Sequence, residues 1–218
     1  MRRQDGFTMT ELVISITIAG VLAFVLFSAT FYYYVSTAQA QTATDLALES
    51  QSILTQLTED IRLSDAISST NAIADSNAPP GGWTTSDPSN IIIIENPAID
   101  SSRNIIYNAS TGNPYRNEFV YFQSGSKMYK RVLANSAATG NTATTTCPAA
   151  SSSPSCPPDR LFSSNASNLT FTFYDASDNT TSNATQARSV SLQVDMAKKV
   201  FGKNISLSNT TRVTLRNI

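Results

Sequence analysis

Apolar and polar positions divide the chain into one long apolar run near its start and a polar remainder with short apolar stretches. Residues 12–35 include no charged side chain, and most of them are apolar. A helix of this length extends about 36 Å, which is enough to cross a hydrocarbon core about 30 Å thick. Its serine and threonine hydroxyls can bond to carbonyls of the preceding turn, so they are compatible with such a helix. The pattern therefore predicts a transmembrane helix.

The residues on either side of the apolar run predict its orientation. Arg2 and Arg3 precede the run, and the next basic residue along the chain is Arg62. Basic residues favour the cytoplasmic side, and the aromatic run at 31–34 favours the opposite interface. The N-terminus is therefore expected inside and the rest of the chain outside. A cleaved secretory signal, with Ala-Gln-Ala at 38–40 as its cleavage site, is the alternative, but its apolar core would span only about 7–15 residues.

The spacing of apolar residues predicts that the helix continues beyond the membrane. Leu46, Ile53, Leu57 and Ile61 fall on one face of a helix. No glycine or proline occurs between positions 20 and 79. One helix over residues 7–64 would be about 87 Å long, with one half in the membrane and the other packed against a domain.

Turn signals and short apolar runs alternate in the polar remainder, which is typical of antiparallel sheets. Residues 68–90 predict a loop because they contain Pro-Pro-Gly-Gly, and Trp83 is expected to anchor that loop on the sheet. Two runs that flank Gly125 predict a hairpin. The predicted strands are 91–95, 103–107, 118–123, 127–132, 169–175, 190–196 and 211–216. The fold class is therefore α+β, with the long helix packed on an antiparallel sheet.

Composition and charge narrow the functional classes. Lys and Arg number 15 and Asp and Glu number 16, which gives a net charge of −1 and argues against a general nucleic-acid binder. The chain has no histidine, so histidine bases and histidine metal ligands are excluded. It also lacks a glycine-rich phosphate loop and a nucleophile elbow. We expect no enzyme activity, no catalytic residue, no cofactor and no metal.

One carboxylate adjoins the apolar run. Glu11 directly precedes it, and a charged side chain costs about 2.5–3.5 kcal/mol at the bilayer centre and less near an interface. Glu11 either marks the headgroup boundary or pairs with a positive partner.

Residues 6–12, Gly-Phe-Thr-Met-Thr-Glu-Leu, resemble the processing site of type IV prepilins and type II secretion pseudopilins. In that family a short charged leader ends in glycine, an aromatic residue follows, and a glutamate opens the apolar span. The resemblance implies that a membrane aspartyl peptidase, the prepilin peptidase, cuts between Gly6 and Phe7 and that Phe7 is N-methylated. It further implies that Glu11 pairs with the N-terminal amine of a neighbouring subunit during assembly. Such pairing offsets the cost of both charges in apolar surroundings.

The resemblance also implies a division of the chain. It assigns 1–6 to a leader peptide, 7–35 to the transmembrane half of the helix, 36–64 to its amphipathic half and 65–218 to a globular β-rich head. Ser28 stands where many major pilins carry proline, and the head is large, so the chain looks more like a minor pilin or pseudopilin.

The partners implied are the prepilin peptidase, other pilins through the N-terminal helix, the membrane and an inner-membrane assembly platform. The subunit is then expected first in the inner membrane and afterwards in a pilus or pseudopilus, which serves adhesion, motility, DNA uptake or secretion. The alternative is a bitopic membrane-anchored receptor or adhesin whose leader stays uncut.

Two cysteines lie in a proline- and serine-rich segment. Cys147 and Cys156 are too few thiols for a tetrahedral zinc site in a chain without histidine. In an exported domain we expect them to form a disulfide that closes the loop, and free thiols are the alternative.

Five basic residues cluster near the C-terminus of the sequence. They are Lys198, Lys199, Lys203, Arg212 and Arg216. We interpret them as a solvated sheet edge that discourages edge pairing. A DNA-contacting patch is the less favoured alternative, because the interleaved aromatic residues of single-strand binding proteins are missing.

Overall fold

The structure is a computed structural model that describes residues 8–85 and 90–215. Its first element is a single helix, α1 (Met9–Leu63), of 55 residues. At about 1.5 Å per residue the helix is about 82 Å long. Ser64 ends it in an extended conformation, and its hydroxyl donates to the carbonyl of Ile61 at 2.7 Å. The predicted uninterrupted helix is thus confirmed, although Phe7 lies outside the described residues.

The two halves of α1 have different surroundings. The first half is exposed along its whole length, whereas the second half buries one face against the sheets. The buried residues recur at helical spacing and include the four predicted from the sequence: Thr42, Leu46, Ser50, Ile53, Leu57 and Ile61.

Eight strands form two antiparallel sheets. The first sheet has five strands in chain order: β1 (Ala66–Ser68), β2 (Ile91–Pro97), β3 (Arg116–Ser124), β4 (Lys127–Leu133) and β5 (Arg160–Ser163). The second sheet has three, also in chain order: β6 (Ala166–Tyr174), β7 (Ser189–Val200) and β8 (Lys203–Thr214). Short 3-10 helices at Ala149–Ser151 and Ala184–Gln186 lie in the connections. The α+β class is confirmed.

The helix packs mainly on β7 and β8 and also touches β2 and β5. The main core fills the space between α1 and the two sheets. Asp60 of the helix accepts hydrogen bonds from the Tyr121 hydroxyl and, at 2.6 Å, from the Lys130 ammonium. These two residues lie directly opposite each other on β3 and β4. The helix is therefore tied to the first sheet by polar contacts as well as by apolar packing.

A second, smaller core lies on the other face of the first sheet. It consists of Trp83, Ile93, Val120 and Leu133. The chain between β1 and β2 covers this face, and Trp83 is buried there, as predicted for a loop anchor. We call residues 69–85 the covering loop.

The predicted hairpin around Gly125 is confirmed as β3 and β4. The predicted strand at 103–107 is wrong, because Ile105 and Tyr107 form only isolated bridges. The Asp100 carboxylate accepts from the backbone N–H groups of Ser102 and Asn104, both at 2.8 Å, and this contact holds the chain in a turn immediately before the apolar run.

Other strand predictions were incomplete. β1 and β5 were not predicted, and β8 begins at Lys203 rather than at position 211. A single sheet was expected and two are present. The end of the last predicted strand at position 216 lies outside the described residues.

Candidate functional site

The exposed half of α1 begins with a reciprocal cap. Thr8 is the N-cap, and its backbone N–H donates to a Glu11 carboxylate oxygen at 3.0 Å. The Thr8 hydroxyl donates to the same oxygen at 2.7 Å and accepts from the Glu11 N–H at 3.3 Å. This capping box satisfies donors that the first turn of any helix leaves unpaired. It places the Glu11 carboxylate at the very start of the apolar span.

The described groups that contact Glu11 are neutral. Within the described residues Glu11 forms no salt bridge. Thr8 donates hydrogen bonds to its carboxylate but carries no positive charge to neutralise it. Gly6 and Phe7 lie outside the described residues, so the predicted processing site stays a prediction at the structural level.

After Glu11 the helix presents apolar side chains on all sides. All residues from 8 to 34 are exposed, and α1 is the one helix of the described chain that is long and apolar enough to cross a membrane. Its hydroxyl side chains donate to carbonyls of the preceding turn, as predicted: Ser15 to Glu11, Thr17 to Ile14, Ser28 to Phe24 and Thr30 to Leu26. These bonds, 2.7–2.9 Å long, satisfy all four hydroxyls, as the hydrocarbon core of a membrane would require.

A buried charge cluster, which was not predicted from the sequence, connects the covering loop to the first sheet. The Arg131 side chain is 2% exposed and forms two salt bridges, one to Asp75 at 2.9 Å and one to Asp159 at 2.6 Å. Its Nε donates to the second oxygen of Asp159 at 3.0 Å, which makes that contact bidentate. The Trp83 indole N–H donates to Asp75 at 2.7 Å. We call these four residues the arginine cluster.

The pKa of Asp75 reflects this environment. Burial by itself raises the pKa of the carboxyl, but hydrogen bonds from Trp83 and Asn77 and the contact with Arg131 outweigh burial and lower it. Asp75 is therefore ionised in the folded protein, and the cluster holds one cation between two carboxylates. Its arrangement connects the covering loop, β4 and the start of β5, which indicates a structural role.

A second buried carboxylate anchors the same loop. Glu118 on β3 accepts from the backbone N–H groups of Ala72 at 2.7 Å and Ile73 at 3.2 Å. Burial raises the pKa of Glu118, and the nearby Glu95 carboxylate adds to the rise, although the two hydrogen bonds lower it.

The cysteine pair lies beside the arginine cluster. Cys147 and Cys156 form a disulfide with Cα atoms 5.6 Å apart. The Asp159 N–H donates to the Cys147 carbonyl at 2.7 Å, so the closed loop positions one of the carboxylates that hold Arg131. Among the residues that the structure describes, no group of three or more potential metal ligands comes together.

The basic residues near the C-terminus do not form one patch. Lys198, Lys199 and Lys203 lie at the tip of the β7–β8 hairpin and are exposed. Arg212 lies far along β8, where it contacts Asp178 and lies over the ring of Tyr174 at 3.8 Å. Arg216 lies outside the described residues.

Comparison with known proteins identifies the first part of the chain. Residues 1–27 match the family described as the prokaryotic N-terminal methylation motif, which is the signature of type IV pilins and pseudopilins. No curated protein and no solved structure matches the chain. The match ends within the exposed half of α1, so it covers the cap, Glu11 and most of the apolar run, but none of the head.

Proposed function

We propose that the protein is a minor pilin or pseudopilin, a structural subunit that is built into, or primes, a type IV pilus or related filament. One observation carries the proposal: the methylation motif leads directly into an apolar helix half that is exposed along its length and opens with a carboxylate that has no salt-bridge partner among the described residues. A helix of this kind requires an apolar partner, and a bilayer and a bundle of identical helices both supply one.

The proposed pathway follows from the division of the chain. The prepilin peptidase removes 1–6 by cutting between Gly6 and Phe7, and Phe7 is N-methylated. Residues 7–35 hold the subunit in the inner membrane, with 36–64 and the head at 65–218 outside. An assembly platform then extracts the subunit into a pilus or pseudopilus, where the same apolar helix half packs against other pilins.

Glu11 supplies the selectivity of this packing in our proposal. Among the described residues its carboxylate receives only neutral donors, so its charge still needs a partner in apolar surroundings. Cleavage creates a new amine at Phe7, and the amine of a neighbouring subunit is a cation of the required sign. Docking that joins the two charges removes a penalty that each carries alone.

The mature N-terminus tests the proposal. Mass spectrometry of the protein from cells with and without the prepilin peptidase should show a chain that begins with N-methylated Phe7 only when the peptidase is present. A chain that keeps residues 1–6 in both strains would contradict the proposal and would favour the unprocessed bitopic receptor or adhesin.

Glu11→Gln tests the charge separately from the cap. Glutamine retains a side-chain oxygen for the Thr8 N–H, so the capping box survives while the charge is lost. Without Glu11 the amine of the neighbouring subunit would lie unpaired in apolar surroundings, at a cost above about 1.4 kcal/mol. Since 1.4 kcal/mol corresponds to a factor of ten, we expect incorporation into filaments to fall at least about tenfold. The amount in the membrane should not change.

The matched control is Glu59→Gln, which removes the same charge from an exposed position on the second half of the helix. It should assemble normally. Equal assembly of both variants would refute the pairing role of Glu11.

A further inference from the structure

The β7–β8 hairpin reaches back to the end of the apolar half of the helix. The rings of Tyr34 and Phe201 meet edge to face with their centroids 5.7 Å apart. Further along, the Asn209 amide donates to the Ser50 hydroxyl at 2.9 Å. Between these two contacts the helix rises about 24 Å and the strand advances about 26 Å, so β8 runs alongside α1. The hairpin tip therefore lies at the level of Tyr34.

Tyr34 marks the membrane surface when the helix crosses a bilayer. It is the last residue of the aromatic run 31–34, and such residues concentrate at membrane–water interfaces. The head is therefore held so that the tip of its longest hairpin lies beside the headgroups.

The chemistry of the tip suits that location. Lys198, Lys199 and Lys203 are exposed, and none of them has a salt-bridge partner in the described part of the chain. Between them Phe201 is 54% exposed. Exposed lysines that flank an aromatic residue are typical of segments that bind anionic membrane surfaces.

The turn itself does not explain the phenylalanine. Val200 pairs with Lys203, so Phe201 and Gly202 form a two-residue loop, and both have positive φ, 48° and 79°. Loops of this type favour Asn-Gly, and a bulky residue rarely adopts a positive φ. Asparagine would be easier to accommodate at position 201, so the turn geometry does not account for the ring, and within the described residues its ring contact is the one with Tyr34.

We propose that the hairpin tip, residues 198–203, binds the anionic surface of the leaflet that faces the head. The Phe201 ring enters the interface beside Tyr34, and the three lysines contact lipid phosphates. This contact fixes the orientation of the head on the membrane. The proposal requires only that the helix spans a bilayer, and it does not depend on cleavage at Gly6 or on filament assembly.

Site-specific quenching tests the proposal with the full chain in nanodiscs. Both native cysteines are in the disulfide, so Asn204→Cys introduces a single free thiol next to the tip for a fluorophore. Because the fold already places the tip at headgroup level, lipids with a nitroxide on the headgroup should quench this label in both kinds of nanodisc. Binding by the lysines should make the quenching stronger in phosphatidylglycerol than in phosphatidylcholine. High salt should abolish the difference. Ser177 follows the end of β6 that lies farthest from the hairpin tip, so a label at Ser177→Cys should not be quenched.

Three variants separate membrane binding from other effects. Replacing Lys198, Lys199 and Lys203 with glutamine should lower the ratio of membrane-bound to free tip by about 100-fold. This value combines a loss of about fivefold for each lysine. The control replaces Arg62, Arg103 and Arg188, which lie outside the hairpin, with glutamine. It removes the same charge and should leave quenching unchanged. Phe201→Asn should reduce quenching, while the thermal unfolding midpoint should change by only a few degrees, because relief of the positive φ opposes loss of the Tyr34 contact.

Three results would overturn the proposal. They are equal quenching in the two lipids, equal behaviour of the lysine and arginine triple variants, and release of the tip from phosphatidylglycerol by a DNA duplex at physiological salt. The last result would assign the lysines to nucleic acid instead.

Discussion

Replacing Arg131 with methionine removes the cation from the arginine cluster while retaining most of the apolar volume of the side chain. The two carboxylates that remain are almost fully buried, with side chains 2% and 4% exposed for Asp75 and Asp159. Removal of one partner from a buried pair costs about 3–5 kcal/mol, because the other charge stays buried and unpaired. Since two carboxylates lose the same partner, we expect about 5 kcal/mol, which lowers the unfolding midpoint of a protein of this size by about 10–20 °C.

The dependence on pH provides a second signature. The pKa of Asp75 is lowered in the folded protein, so its contribution to stability is present above its ordinary value of 3.8 and is lost as the pH falls through the folded pKa. In Arg131→Met the carboxyl loses its cation, so its folded pKa rises and acid neutralises it sooner. The deficit of the variant relative to the natural protein should therefore shrink as the pH falls from 7 towards 4.

Urea unfolding of the full chain in detergent micelles measures both effects. Trp83 is the single tryptophan and donates to Asp75, so its fluorescence reports on the cluster directly. Arg160→Met is the matched control, because Arg160 is exposed and lies over the Phe162 ring at 5.0 Å. Adding Asp75→Asn and Asp159→Asn to Arg131→Met should restore most of the lost stability. A loss no larger than that of Arg160→Met, or an equal deficit at pH 4 and pH 7, would refute the reasoning.

Two further predictions concern the head. Leu57→Ala should cost about 2–5 kcal/mol of unfolding free energy, because Leu57 is fully buried between helix and sheet; Leu48→Ala, on the exposed side, should change it by less than about 0.5 kcal/mol in the same urea titration. Because the pKa of Glu118 is raised, its contribution to stability is present below its ordinary value of 4.5 and is lost as the pH rises through the folded pKa. The stability of the natural protein relative to Glu118→Gln should thus increase from pH 7 to pH 4.5, and a difference independent of pH would contradict this account.

The sequence predicts the long helix and the β3–β4 hairpin well, because both depend on the spacing of apolar residues that are near one another in the chain. The helix is readable because a continuous apolar run leads into a second half whose buried positions follow helical spacing, and no glycine or proline interrupts that half. The β3–β4 hairpin is readable because alternating runs flank a turn at Gly125. Strand β8 is harder, because its helix-facing side includes Asn209 and Thr211, which interrupt the apolar alternation between Leu207 and Val213.

The arginine cluster could not be predicted, because its members lie far apart in the sequence. Asp75 precedes Arg131 by 56 residues and Asp159 follows it by 28. No local spacing marks them as partners, and Arg131 follows Lys130, whose side chain lies on the opposite face of the strand. The available signal was indirect: an arginine at an inward position of an otherwise buried strand requires carboxylates. Glu11 was identified because its neighbours in the sequence carry the motif.

The contact between Asn209 and Ser50 has a consequence for the order of events during synthesis. The two residues are 159 positions apart, and β8 is the last strand in the part of the chain that the structure describes. The helix emerges first, but the strand that covers its buried face emerges last, about 10–30 s later at ordinary rates of translation. The head therefore cannot complete its core while it is being made, and under the proposed membrane topology a nascent chain exposes an amphipathic helix beside the membrane throughout its translocation. Contacts of such long range also make folding slow once the chain is complete.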